Sequence, residues 1–174
     1  LACGVFHPHL PWYVPQKYLD LQKPDEVEVP KVPTDDLKDL PRGGLKMAAA
    51  RKNDPQAIRK ADSQKEAIRA YLASISFADA QLGRVLDALK ASPSANRTII
   101  VLWSDHGWHL GEKNHWHKST LWEEATRVPL VIRSPDHNPG TCSHPVSLLD
   151  LYPTLNELCD LKPSGKLDGV SLVP

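Results

Sequence analysis

The apolar residues of this chain form several short runs and one long periodic stretch. Residues 98–103 read Thr-Ile-Ile-Val-Leu-Trp, a β-branched run typical of a strand buried on both faces of a parallel sheet. Apolar runs at residues 1–6, 128–133 and 145–149 predict three further strands. Alternation of strands with a helical stretch indicates an α/β fold, in which strand, helix and strand form a right-handed crossover.

The periodic stretch follows Ser63 and runs to Ala91. Its apolar residues recur at spacings of three and four, which predicts an amphipathic helix whose apolar stripe lies in the core. Ser63 and Glu66 form a capping box at the start, and Ser92-Pro93 ends the helix. Glycine costs about 1 kcal/mol relative to alanine inside a helix, so we expect Gly83 to allow a close packing contact with the sheet.

Two shorter helices are predicted from capping signals. Thr120 and Glu123 form a capping box for a helix that ends near Ala125. Asp150 is placed to cap a helix over residues 151–159. The first turn of that helix contains a proline, which is tolerated there because its missing amide hydrogen has no helical partner.

Residues 13–54 are rich in Pro, Lys, Asp and Glu, which predicts a long surface excursion with little regular structure. Residues 38–69 carry nine Lys or Arg against four Asp or Glu. That excess is typical of a solvated face, with contact to an anionic polymer as the alternative.

Composition excludes several classes of partner. The chain has 21 Lys or Arg and 21 Asp or Glu, so no overall field would attract nucleic acid or an anionic membrane. No apolar run approaches the roughly 18 to 20 residues of a membrane helix. The three cysteines, an odd number without CxxC spacing, indicate neither a zinc site nor a disulfide framework.

Candidate chemistry follows the run at residues 98–103. Asp105 and His106 come directly after it, at the edge where open α/β sheets bind ligands. A carboxylate suits Ca²⁺ or Mg²⁺ and an imidazole suits them less, so the spacing alone leaves a metal site and a structural hydrogen-bonded pair both open. Lys118 precedes a predicted helix start and supplies a compact positive charge for a tetrahedral oxyanion, with an ordinary surface lysine as the alternative.

Two histidines follow the run at residues 1–6. His7 and His9 lie in a segment that two prolines hold extended. If the strands are parallel, both histidines face the same edge as Asp105. A hydrogen-bonded surface or core histidine is the alternative for either one.

Several segments, taken in order, resemble the carboxyl-terminal part of the catalytic domain of type I sulfatases, the formylglycine-dependent arylsulfatase family. Within that family the iduronate-2-sulfatase-like enzymes are the most similar. The resemblance is carried by residues 3–11 (CGVFHPHLP), 83–89 (GRVLDAL), 96–108 (NRTIIVLWSDHGW), 110–112 (LGE) with Trp116 and Lys118, 125–130 (ATRVPL) and 146–155 (VSLLDLYPTL). It implies an alkaline-phosphatase-like α/β fold, with a mainly parallel sheet flanked by helices. Residues 1–174 would be a partial domain, the carboxyl-terminal portion of that catalytic domain.

The resemblance also implies roles for individual residues. Asp105 and His106 match two protein ligands of one divalent cation, usually Ca²⁺, with Mg²⁺ possible. Lys118 matches the lysine that contacts the sulfate, and His9 matches the histidine near the ester oxygen. His7 has no firm counterpart.

Three more histidines flank this loop without a motif match. Surface or substrate-rim roles are expected for His109, His115 and His117.

One departure from the family pattern is an absence. Type I sulfatases make formylglycine from a C/S-x-P/A-x-R motif, and no such motif occurs in this sequence. The acidic pair that completes the family's metal site is also missing, and both features normally lie upstream. The chain opens at Leu1 without an initiator Met, like the middle of a protein. We therefore expect part of the metal site and of the sulfate pocket here, and an inactive isolated chain.

The implied activity is hydrolysis of a sulfate ester, in a sulfated sugar or uronic acid, by a metal-assisted formylglycine mechanism. A phosphoryl or phosphonate hydrolase of the same superfamily is one alternative. A non-catalytic relative that binds sulfated glycans, suggested by the basic segment at residues 38–69, is the other. The resemblance suggests a periplasmic, secreted or lysosomal location, and the sequence leaves the oligomeric state open.

Overall fold

The structure is a computed structural model that describes residues 1–50, 57–58 and 63–173. These residues form two compact units, Leu1–Pro135 and Asp136–Pro174. The candidate catalytic and metal-binding residues all belong to the first unit. Part of the basic segment at residues 38–69, and the end of the excursion at residues 13–54, lie outside the described residues.

The sheet of the first unit has two strands, β1 (Ile100–Trp103) and β2 (Leu130–Arg133). Both were predicted, with slightly wider bounds. They pair antiparallel, with Ile100 opposite Arg133 and Trp103 opposite Leu130, so this pair does not form the parallel sheet expected around β1. Parallel pairing needs a crossover, usually a helix, whereas the chain between β1 and β2 folds back on itself.

Two predicted strands are not formed among the described residues. Residues 1–6 have no regular structure and are exposed, and residues 148–150 form a 3₁₀ turn instead of a strand. An apolar run becomes a strand only when a neighbouring strand pairs with its backbone groups. Burial of β1 on both faces is also wrong, since Leu102 and Trp103 are 40% and 47% exposed.

The long predicted helix is confirmed as α3. This helix, the third of the described α-helices along the chain, spans Gln64–Lys90 and buries Ile68 in the core. Ser63 is the N-cap, but its hydroxyl donates to the carbonyl of Ile58 rather than capping, so the predicted capping box is absent. The apolar stripe is buried only in part: Ile75, Val85 and Leu86 are exposed.

The close contact expected at Gly83 is also wrong within the described chain. Apart from the neighbouring residues and the backbone of its own helix, no atom of the described residues lies within 4 Å of the position that a Cβ would take there.

The predicted surface excursion contains more regular structure than expected. Helix α1 covers Gln16–Asp20 and helix α2 covers Arg42–Ala49. Arg69 of α3 donates hydrogen bonds to the carbonyls of Leu19 and Gln22, at 3.1 and 2.8 Å. These carbonyls lie at the end of α1, where a cation is favourable. The excursion is therefore fastened to α3.

The core of this unit joins the excursion, α3 and the loop after β1. Its buried cluster consists of Val27, Ile68 and Trp116, with partly buried Leu72 and Leu110 packed against it. The loop that carries Lys118 is thereby anchored by apolar packing.

Helix α4 spans Glu123–Thr126 and was predicted to start at a cap on Thr120. Its N-cap is Trp122, and no side chain caps it. The predicted cap is wrong because the Thr120 hydroxyl hydrogen-bonds to His109 instead.

The second unit is built around helix α5, which spans Leu151–Leu158 as predicted. Asp150 does not cap it. Its carboxylate accepts hydrogen bonds from the amides of Ser147 and Val170, at 2.8 and 2.9 Å. These two hydrogen bonds hold the pKa of Asp150 below its ordinary value. The carboxylate therefore joins the turn before the helix to the segment that follows it.

Among the residues that the structure describes, no helix combines the length and apolar character needed to cross a membrane.

Candidate active site

The site is built on the loop that leaves β1. His109 and His117 are joined by a backbone hydrogen bond of 3.1 Å, and Gly111 and His115 by one of 3.0 Å. These bonds close a narrow hairpin whose tip is a 3₁₀ turn over Glu112–Asn114. Its two arms carry His106 on one side and Lys118 on the other.

Gly107 fixes the first arm of this loop. Its amide donates to the carbonyl of Ala125, a residue of helix α4, at 2.8 Å. A Cβ at this position would overlap the backbone carbonyl of Glu124. Only glycine fits such a close approach of two backbone segments, so the place of His106 depends on it.

The centre of the site is the ammonium of Lys118. Its Nζ lies 2.9 Å from His9 Nε2 and 2.8 Å from His106 Nε2. The structure therefore brings together three of the four residues predicted for this site. His9 and Lys118 are 109 positions apart in the sequence.

Hydrogen bonding fixes the tautomer of both imidazoles. His9 Nδ1 faces the Leu10 carbonyl at 2.7 Å, and His106 Nδ1 faces the Gly107 carbonyl at 2.8 Å. A carbonyl only accepts, so each Nδ1 carries the proton and each Nε2 presents a lone pair. Both lone pairs point at Lys118, which donates to them.

His9 reaches this point from a turn rather than an extended segment. The His9 amide donates to the Phe6 carbonyl at 3.2 Å, and the Trp12 indole donates to the Pro8 carbonyl at 2.9 Å. The extended backbone predicted here is therefore wrong. His7 packs its ring against Phe77, at 5.3 Å between centroids.

Asp105 lies beside the cluster without being enclosed by it. Its Oδ2 is 3.5 Å from His106 Nε2, and its side chain is 83% exposed. Within residues 1–50, 57–58 and 63–173, no group of three or more His, Cys, Asp or Glu side chains could hold a metal ion. Ca²⁺ takes about six to eight oxygen ligands. Asp105 and His106 alone therefore do not complete a site for such a cation.

Trp108 forms an aromatic wall of the cluster. It is 8% exposed, and its ring lies 5.3 Å from His9 and 5.0 Å from His117, between centroids. Its indole N–H is buried without a hydrogen-bond partner among the described residues. Its ring therefore packs against the imidazole of His9, one of the two that face Lys118.

His109 and His115 lie in the interior, so the surface or rim roles expected for them are wrong. Their exposed fractions are 0% and 1%. Burial, and then the nearby His115, lower the pKa of His109 below its ordinary value of 6.5. The carboxylates of Glu124 and Glu112 act in the opposite direction. His109 is therefore held neutral.

An ion pair that the sequence did not predict fixes the tip of the loop. Lys113 Nζ lies 2.6 Å from Asp36 Oδ1, and the Lys113 amide donates to Asp36 Oδ2 at 2.7 Å. Burial raises the pKa of Asp36, but the hydrogen bonds and charge of Lys113 lower it more, to below 3.8. The hydrogen bond to Asp36 raises the pKa of Lys113 above 10.5. The two residues are 77 positions apart, so the sequence carries no local signal of this contact.

Comparison with solved structures defines the class of protein. The phosphonate monoester hydrolase SpPMH from Silicibacter pomeroyi matches with a TM-score of 0.82 and 27% identity, over 95% of this chain and 34% of that one. The fold is that of the alkaline-phosphatase-like α/β hydrolases, and the chain forms part of such a domain. The predicted fold class is confirmed.

The family follows from sequence comparison: the Sulfatase family model matches residues 4–161, and the chain belongs to that family. A sulfatase of Formosa agariphila is 47% identical over 176 residues, which cover 99% of this chain and 34% of that protein. Human iduronate 2-sulfatase is 34% identical over 167 residues, covering 90% of this chain and 30% of that enzyme. The chain spans about a third of the length of these relatives. The resemblance predicted from the sequence is confirmed.

Proposed function

We propose that this chain forms one side of the active site of a sulfuric ester hydrolase. The observation that carries the proposal is the convergence of Lys118, His9 and His106 beyond the end of β1. A cation held between two imidazoles, beside a carboxylate, suits a substrate with a negatively charged tetrahedral group. Membership of the sulfatase family supports sulfate esters as the substrate class.

Lys118 would bind the sulfate group. An ammonium has three N–H donors, and two of them are directed at His9 and His106. The third remains for a sulfate oxygen. Because hydrogen bonds and packing already fix the lysine, little reorganisation accompanies the growth of negative charge in the transition state.

His9 would transfer a proton to the departing alcohol after its Nε2, which carries no proton in this structure, has taken one up from the surrounding water. Its Nδ1–H is bonded to the Leu10 carbonyl, so Nε2 is the atom that takes up and releases a proton. The same carbonyl stabilises the imidazolium once Nε2 is protonated, as an acceptor on the far side of a catalytic imidazole does.

Asp105 and His106 would provide two ligands of a divalent cation, Ca²⁺ with Mg²⁺ as the alternative. Metal dependence is general in the sulfatase superfamily, and a bound cation would neutralise charge on the sulfate oxygens. The remaining ligands would come from outside this chain. So would the nucleophile, a formylglycine, because the sequence lacks the C/S-x-P/A-x-R motif.

The natural substrate would be a sulfated carbohydrate, such as a sulfated uronic acid. The support is the 34% identity with human iduronate 2-sulfatase over most of this chain.

The experiment uses the protein encoded by the complete reading frame that contains this chain. Lys118→Ala should lower kcat on an aryl sulfate by about 100-fold, the loss typical of removing one fixed donor. Lys162→Ala, which changes an exposed lysine of the second unit, is the matched control and should leave kcat unchanged. Full activity of Lys118→Ala, or a reading frame without a C/S-x-P/A-x-R motif, would contradict the proposal.

Phosphonate ester hydrolysis is the second candidate, because a phosphonate monoester hydrolase matches with a TM-score of 0.82. The same purified protein separates the two when it is assayed on an aryl sulfate and on an aryl phosphonate monoester. A higher kcat/KM for the phosphonate ester would favour the second candidate.

A further inference from the structure

The residue after Lys118 has an unusual backbone conformation. Ser119 has a φ of +72°, in the left-handed region that residues other than glycine rarely adopt. The chain therefore turns sharply directly beyond the lysine. Such a turn persists only where the surrounding structure holds it.

Two buried histidines hold this turn from its two sides. The His115 Nε2 lies 2.9 Å from the Lys118 carbonyl, which precedes Ser119. Since that carbonyl only accepts, His115 carries its proton on Nε2 and donates it. His115 Nδ1 is then unprotonated, and it has no hydrogen-bond partner among the described residues.

His109 holds the residue on the other side. Its Nδ1 faces the Glu112 carbonyl at 3.2 Å and therefore donates. Its Nε2 consequently accepts from the Thr120 hydroxyl at 2.7 Å. The rings of His109 and His115 pack edge to face, 5.1 Å apart between centroids.

We propose that His115 and His109 are the positioning residues of Lys118. They fix the backbone on both sides of Ser119, so that the ammonium of Lys118 is set between His9 and His106. They act through the Lys118 carbonyl and the Thr120 hydroxyl. Their importance for catalysis rests on the function proposed above, whereas the positioning can be measured without it.

The test compares two substitutions of matched polarity in this chain. The amide nitrogen of Gln in His115→Gln reaches the position of Nε2 and can still donate to the Lys118 carbonyl. In His115→Asn the amide ends at the position of Nδ1 and cannot. A residue that merely filled space would give the same result in both variants.

The readout is the rate of acetylation of each lysine by acetic anhydride, followed by mass spectrometry. Lys118 is partly buried and its ammonium is directed at two imidazoles, so it is shielded from the reagent. We expect His115→Asn to raise its labelling about fivefold, the factor that one hydrogen bond is worth, and His115→Gln to leave it near the original rate. His137→Asn, at an exposed histidine of the second unit, is the control.

Lys113 is the internal reference, because its ion pair with Asp36 lies in the same loop. Its labelling should not change, whereas general loosening of the loop would raise both lysines together. Thr120→Val, which removes the hydroxyl without changing the shape, tests the His109 side and should also raise Lys118 labelling alone.

Three results would overturn the proposal: equal labelling of Lys118 in the Gln and Asn variants, no rise in Lys118 labelling, or a parallel rise at Lys113. None of them depends on sulfate binding or turnover. Failure of the proposed function would instead appear as absent sulfatase activity with the labelling pattern intact.

Discussion

At the scale of single residues, Asp36 offers a clear test of how the site loop is held. Asp36→Asn removes the charge that pairs with Lys113 and leaves a partly buried ammonium without its counterion. We expect the free energy of unfolding of the first unit to fall by about 1.5–3 kcal/mol, the value of a hydrogen bond to a charged group. Urea unfolding followed by tryptophan fluorescence measures this.

The matched control is Glu123→Gln, which changes another carboxylate to an amide. Glu123 pairs with Arg127 at 2.6 Å, but both side chains are largely exposed. Its effect should stay within about 1 kcal/mol. Equal losses in the two variants would show that the burial of Asp36 adds nothing.

A second prediction at this scale is that His109 makes the stability of the first unit depend on pH. Its pKa is lower in the folded chain than the ordinary 6.5, so the unfolded chain binds the proton more readily. The stabilisation that neutral His109 contributes is therefore fully present above about pH 6.5. It is lost as the pH falls from 6.5 through the lowered pKa of the folded chain. One proton limits the slope to about 1.4 kcal/mol per pH unit.

Comparison with His109→Gln isolates this contribution from that of the other histidines. For each protein, the free energy of unfolding is measured at pH 7.5 and at pH 5.5. The loss of stability between these two pH values should be larger for the native chain than for His109→Gln. Identical pH dependence in the two proteins would exclude His109 as a source.

At the scale of elements, substitution by alanine is expected to have opposite effects on stability at two glycines. Gly107→Ala should destabilise the first unit by about 3 kcal/mol, because a Cβ there meets the Glu124 carbonyl and the strand-to-loop connection has to move. Gly83→Ala, in the middle of α3 where a Cβ meets nothing, should stabilise by about 0.5–1 kcal/mol. Thermal unfolding monitored by circular dichroism distinguishes them. A neutral Gly107→Ala would mean that the two backbone segments are not fixed together.

The same scale shows what the sequence could predict of the fold. Periodicity predicted α3 and the runs at β1 and β2, because a repeat of apolar residues is a property of the chain itself. It failed at residues 1–6 and 145–149, where strand formation depends on a partner elsewhere. The capping boxes failed similarly: the hydroxyls of Ser63 and Thr120 donate to other acceptors in the folded protein.

The candidate site was predicted to a similar degree. His9, His106 and Lys118 were identified through the family resemblance, and the structure brings them together. His109 and His115 carried no motif, because their importance arises from contacts of a turn that only the fold defines. The proposed metal-ligand role of Asp105 and the catalytic roles remain predictions.

At the scale of the whole molecule, the chain should bind Ca²⁺ only weakly. Asp105 and His106 supply two donors, and one of them, His106 Nε2, already accepts from Lys118. A site with so few charged oxygen ligands belongs at or beyond the weak, millimolar end of the range for calcium. Isothermal titration with CaCl₂ measures this, and submillimolar affinity would contradict it. Asp105→Asn should abolish whatever heat is observed.

Exposed apolar surface adds an expectation at this scale. The sheet exposes Leu102, Trp103 and Val131, and α3 exposes Ile75 and Leu86. Unpaired strand edges and apolar faces of this kind favour association between molecules. Light scattering of the purified chain should rise with concentration, and Val131→Lys should reduce that rise.

The pair of Asp36 and Lys113 also bears on the order in which the molecule folds. The contact closes a loop of 77 residues. The conformational entropy of that loop has to be lost before the ion pair can form and stabilise the chain. Helix α3, which is built from local contacts, has no such delay. The hairpin tip is therefore expected to become ordered later than α3, and the Lys113 amide to exchange with deuterium earlier than the amides in the middle of that helix.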